Sequence, residues 1–294
     1  MAVAESIADA EPTRQDRGIR LVLARLAGTA SDTAVLRAAG GIAEVFAAPV
    51  TAIHVPLMPP SIAHLAGRGE GDAFIGFGPS EDAASTERAT AARSGFEAWL
   101  SARGWPESPA ASADGPSASY IETDGDEPEI LTERARLADV TITARPGSAT
   151  LEALLIASGR PILLVPDEWS GDLLGGNAVL AWKGSAPAAR ATAAALPFLR
   201  RIAGDAMVFS APERRHQDAP EEVAAYLRRH GIRSEIAEAV EGDAGRQLLA
   251  VARSNAAGFI VCGAFAHGPL RQAVFGGVTT TLIERADLPV LFNG

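Results

Sequence analysis

The sequence predicts an α/β fold built from two doubly wound, five-stranded parallel-sheet domains in tandem. A repeated layout is the first reason. RLVLARLAGTASDTAVLRAAGG (20–41) and AVLAWKGSAPAARATAAALPFL (178–199) each run from a short apolar strand through a small-residue turn into an alanine-rich amphipathic helix. LADVTITARPG (137–147) parallels AAGFIVCGAFAHG (256–268), and the halves close alike in GRPILLVP (159–166) and ADLPVLFNG (286–294). The second reason is that most strands are unbroken apolar runs, such as LLVP and FIVC, as expected of parallel strands covered on both faces. The third is the regular alternation of strand and helix.

Taken in order, the first half predicts strands near 19–25, 50–55, 117–122, 139–144 and 161–165, each an apolar run bounded by turn residues. Alanine-rich or amphipathic spacing predicts helices near 31–47, 84–103, 127–138 and 147–157. In the second half the same reasoning predicts strands near 178–182, 206–210, 233–239, 258–262 and 288–292, with helices near 187–203, 219–230, 243–254 and 277–286. Residues 1–17 are polar and acidic without a basic start or apolar centre, and read as a disordered tail rather than a secretion signal. The first domain then spans 18–166, with a Gly/Pro-rich surface insertion at 56–83. DEWSGDLLGGN (167–177) reads as a linker, and the second domain spans 178–294.

Composition narrows the function. A formal net charge of −10 argues against nucleic acid or an anionic membrane as partner. No apolar run approaches the roughly 20 residues of a membrane-spanning helix. The single cysteine, Cys262, excludes a disulfide framework and fits a reducing cytoplasm. The charge is uneven. Residues 1–166 hold 13 Arg against 22 Asp and Glu, whereas residues 167–294 hold 12 Arg and one Lys against 14 Asp and Glu. If either half takes a polyanionic ligand, the second is the better candidate, because the first repels it. The histidines, His54, His64, His216, His230 and His267, sit in separate segments without metal-ligand spacing, so no metal site is expected. No catalytic constellation is visible, which leaves at most a slow ATPase or self-phosphorylation using Thr279 or its neighbours.

The segment GAFAHGPLRQAVFGGVTTTLIERADLPVLFNG (263–294) carries the ligand argument. Strand 258–262 delivers the chain to the carboxyl edge of the sheet, where such folds bind ligands. Gly263 allows a sharp exit or a close approach by a ligand. Gly276 and Gly277 precede the helix VTTTLIERA, whose unpaired amides and positive end attract phosphate, with Thr279 adding a hydroxyl. The first strand of the second half ends in AWK, residues Ala181, Trp182 and Lys183. Trp182 either stacks on a base or closes a core strand. Lys183, the only lysine, either meets a phosphate or solvates a turn. Cys262 reads as inert core. His54 reads as a satisfied edge histidine or a cleft-lining one, and His267 as a phosphate contact or a solvent residue.

The chain resembles a tandem universal stress protein, two such domains fused. The resemblance rests on AWKGSAPAARATAAALPFL as first strand and helix, AIHV (52–55) as a second strand, ADLPVLF as the last strand, and above all the loop. The family's loop is Gly, two residues, Gly, nine residues, Gly, then Ser or Thr. Here Gly263 begins it, Ala266 replaces the second glycine, HGPLRQAVF supplies the nine residues, and Gly276-Gly277 close it. The resemblance implies a Rossmann-like fold of the adenine-nucleotide α-hydrolase kind, a stress-response role, and ATP or another adenine nucleotide held by residues 181–183, Gly263, Ala266, His267, Gly268, Gly276, Gly277, Val278 and Thr279. Binding members usually carry an Asp where this chain has Lys183, or Arg25 or Leu26 in the first half. In that half RPGSATLEALLIASGRP leaves no room for the nine-residue segment, so a structural, degenerate domain is expected. The rival is an interaction scaffold of the same fold without nucleotide, favoured by Ala266 and Gly277. By analogy with the family, the two terminal strands should bring the halves together within the chain, and their apolar edges also allow a homodimer.

Overall fold

The computed structural model describes residues 18–56, 79–108, 115–211, 219–237, 242–264 and 276–294. The tail, most of the 56–83 insertion, and Ala266, His267 and Gly268 lie outside the described residues. Ten strands follow in chain order: β1 (Val22–Leu26), β2 (Val50–His54), β3 (Ala118–Glu122), β4 (Val140–Thr143), β5 (Ile162–Leu164), β6 (Asn177–Ala181), β7 (Ala206–Phe209), β8 (Ser234–Ile236), β9 (Ala257–Gly263) and β10 (Val290–Asn293). Helices among the described residues are α1 (Asp32–Phe46), α2 (Pro79–Arg103), α3 (Glu127–Ala135), α4 (Ser148–Ala157), α5 (Ala186–Leu199), α6 (Pro220–Arg229), α7 (Ala244–Ser254) and α8 (Gly277–Arg285).

The strands form one ten-stranded sheet in the order β3-β2-β1-β4-β5-β10-β9-β6-β7-β8. Each half is a parallel five-stranded unit. They meet where β5 and β10 pair antiparallel, with Leu163 opposite Leu291 at the centre of the contact. Both strands are fully apolar there, so the junction is buried on both faces. One face carries α1, α2, α5 and α6, and the other carries α3, α4, α7 and α8. The core on the first face crosses the junction: Phe46 of the first half stacks edge-on against Phe198 of the second at 5.8 Å between ring centroids. The segment 167–177, expected as a linker, buries Leu173 and Leu174 in that same core.

The halves can be superposed residue by residue through their turns. β1 and β6 are each followed by a turn glycine with a left-handed backbone, Gly28 at φ +68° and Gly184 at φ +58°. That pairs Ala27 with Lys183, so Ala27, rather than Arg25 or Leu26, stands where the first-half counterpart of Lys183 was expected. α3 and α7 are each capped by an Asp after a positive-φ glycine: Gly125-Asp126 and Gly242-Asp243, whose carboxylates accept from the Glu129 and Arg246 amides. A Cβ on Gly28 would lie 2.1 Å from the Arg88 carbonyl oxygen in addition to the left-handed penalty. Gly28→Ala is therefore expected to cost about 3 kcal/mol, read as a lowered urea midpoint at unchanged slope.

Candidate functional site: a cleft at the second switch point

In each half the helix after the first strand packs on one face of the sheet and the helix after the fourth strand on the other. The first and fourth strands are neighbours, β1 beside β4 and β6 beside β9. Their connections therefore diverge and leave a crevice at the carboxyl edge, where open α/β sheets take ligands. The two crevices have opposite fates.

In the first half charged side chains of the protein itself occupy the described part of the crevice. The Arg25 guanidinium pairs with Glu127 at 2.7 Å, the two side chains being 10% and 13% exposed. The other oxygen of Glu127 accepts from Thr150 Oγ1 in the first turn of α4 at 2.9 Å. Glu127 is thus an internal anion at a helix amino end. The carboxylate of Asp32 accepts from the amides of Ala27 and Gly28, both at 2.8 Å. Burial pushes its pKa up, against the opposing pull of those bonds. His54 is buried nearby. Its Nδ1 lies 2.8 Å from the Leu26 carbonyl oxygen while Nε2 has no hydrogen-bond partner among the described residues.

In the second half the same positions are vacated. Matching the paired glycines and helix caps places Ala181 at Arg25, Ala188 at Asp32, Ala244 at Glu127 and Thr279 at Thr150. Three charged side chains become three alanines, and a cavity of about 320 Å³ opens there. Its apolar wall includes Trp182, Phe209 and Leu248. Lys183, Ser185 and the start of α8, Gly276 through Thr279, supply the polar groups. α8 has no side-chain cap. Its leading amides lack intrahelical acceptors. A Cβ on Gly276 or Gly277 would meet nothing within 4 Å, so space continues beyond them. Lys183 is exposed and has no carboxylate partner among the described residues.

Of the residues singled out in the sequence, Ala181, Trp182, Lys183, Gly263, Gly276, Gly277, Val278 and Thr279 all line this cavity. A Cβ on Gly263 would sit 2.5 Å from the Ala188 amide nitrogen, so its bareness admits the first turn of α5. Thr279 is buried and leans on Cys262 rather than standing free. Sequence reasoning missed Ser185, Ala188, Phe209, Gly242, Ala244 and Leu248. The Gly-Asp repeat at 125–126 and 242–243 was the available signal for two of them.

Cys262 forms part of the cavity floor. Burial pushes its thiol up to about 12, against smaller opposing pulls from the Thr279 hydroxyl and the Lys183 charge. The thiol therefore stays protonated, and unreactive, well above neutral pH. Alkylation by iodoacetamide at pH 8 should run roughly a hundredfold or more slower on the native chain than on the unfolded one. Among the described residues no group of three or more His, Cys, Asp or Glu could hold a metal ion, and no helix is long and apolar enough to cross a membrane.

Residues 179–292 match the model of the Universal stress protein family. The match lies wholly within the carboxy-terminal half. The whole chain aligns with a universal stress protein from Archaeoglobus fulgidus DSM 4304 at a TM-score of 0.69 and 15% identity, covering 93% of this chain and 95% of that one. A protein described as a universal stress protein from Pseudomonas aeruginosa UCBPP-PA14 aligns at 0.59 and 15% identity, covering 95% and 94%. A functionally unknown protein from P. aeruginosa PAO1 gives 0.59 at 15% identity, covering 96% and 94%. The universal stress protein fold thus extends over both halves. No curated protein matches the sequence.

Proposed function

We propose that this is a nucleotide-responsive stress protein whose second domain binds ATP or a related adenine nucleotide, while the first domain is a folded partner without a ligand. The observation carrying the reading is the vacated cavity at the second switch point, where alanines replace the ion pair and carboxylate that fill the first. The aromatic and aliphatic wall suits a base, and the α8 amides with Lys183 suit phosphates. Titration calorimetry of the full chain with ATP, ADP and AMP tests it, saturable heat from one site per chain being the expected result. The second reading, an interaction scaffold that takes no nucleotide, is favoured by Gly277, which offers no hydroxyl where the family places one. No heat at millimolar nucleotide would favour it.

The open space beside Gly277 also supports an engineering prediction. Gly277→Ser adds a hydroxyl at the first position of α8 without a steric conflict. It should tighten ATP binding by roughly threefold to tenfold, the worth of one added hydrogen bond, with the melting temperature of the unliganded chain unchanged.

A further inference from the structure

Resting on the nucleotide reading above, we infer that the cleft takes its ligand as the metal-free polyanion, with Lys183 supplying the countercharge that a divalent cation would otherwise bring. Nucleoside polyphosphates travel largely as magnesium complexes, and sites that accept the complex offer the metal carboxylate or free hydroxyl oxygens. The described lining of this cleft contains neither Asp nor Glu. Its two hydroxyl side chains are already engaged: Ser185 Oγ accepts from the Ala188 amide at 3.4 Å, and Thr279 is buried against Cys262. The carboxylate between the lining residues Gly242 and Ala244, that of Asp243, accepts from the Arg246 amide at 2.9 Å and faces the Arg246 guanidinium at 3.7 Å.

The positive groups converge instead. Lys183 lies on the β6 side of the cleft and the uncapped start of α8 on the β9 side. Lys183, Cys262 and the start of α8 from Gly276 to Thr279 all line the same cavity, so the ammonium and the α8 amides border one space. A magnesium ion delivered with the phosphates would meet Lys183 as a like charge and find no carboxylate among the described lining groups. A bare polyphosphate would meet a cation and an array of amides.

The test is calorimetry on the full chain with ATP in EDTA and again in excess magnesium chloride, for the native protein, Lys183→Gln and Lys183→Arg, with adenosine as the phosphate-free control. The expected result is ATP binding at least as tight in EDTA as in magnesium. Lys183→Gln should bind ATP roughly tenfold more weakly in EDTA, Lys183→Arg should retain it, and adenosine binding should be indifferent to either change. ATP binding that is tighter with magnesium, or equal for the native chain and Lys183→Gln in EDTA, would overturn the inference and leave the nucleotide reading standing. Silence from both ATP and adenosine would remove both together.

Discussion

An Ala181→Arg/Ala244→Glu double variant should fold as the native chain does and bind no nucleotide. The substitutions copy Arg25 and Glu127 of the first half into the positions that correspond to them, where the local backbone follows the same path: a positive-φ glycine after the first strand and an Asp-capped helix after another. The first half shows that this backbone accommodates the pair at 2.7 Å. Thr279 occupies the place of Thr150, which donates to Glu127 in the first half. The cavity would then be filled by the protein's own side chains. ATP affinity should fall by more than roughly a hundredfold, because the wall groups and the α8 amides are no longer reachable. Circular dichroism and the urea midpoint check folding, and calorimetry checks binding. Undiminished affinity in the folded double variant would mean that the ligand sits elsewhere. Ala181→Arg alone should lose stability, since the new charge has no partner and Lys183 is its neighbour in sequence.

The second large effect belongs to the filled crevice. Glu127→Ala strands the Arg25 guanidinium at 10% exposure and removes the acceptor of Thr150. Breaking one side of a buried pair costs about 3–5 kcal/mol, enough to unfold a marginal protein. Arg25→Ala/Glu127→Ala together should be more stable than either single variant, because neither charge is then left unpaired in the interior. Urea unfolding of the four-member cycle measures the coupling. Nucleotide affinity in the second half should not change, since the pair touches only the first crevice.

The architecture was legible in the sequence because its causes are local. Parallel strands buried on both faces must be continuous apolar runs, and LLVP and FIVC are. Helix starts carry their own chemistry in Asp126, Ser185 and Asp243, each accepting from an amide in the following turn. α2 begins at Pro79, ahead of the expected residue 84, as suits proline in a helix's first turn. The cleft was half legible. The glycines before α8 and the AWK turn announce themselves by residue type. The pairing of Arg25 with Glu127 does not, because it joins positions 102 apart and depends on strand order. Ala188 and Ala244 carry no chemical signal of their own. An emptied site shows itself only when the alanines are set against the charged residues at the matching places of the other half.

The antiparallel contact of β5 with β10 gives the halves the relation that two copies of a single domain would have across an isologous dimer contact. In such a dimer every substitution appears twice, so both crevices would have to be open or both closed. Covalent fusion lifts that constraint. One half can trade its crevice for an internal ion pair while the other stays available, and the molecule becomes asymmetric in ligand stoichiometry though nearly symmetric in backbone. A chain of this kind should saturate at one ligand, with a hyperbolic isotherm in place of the cooperative one that two coupled, equivalent crevices could generate.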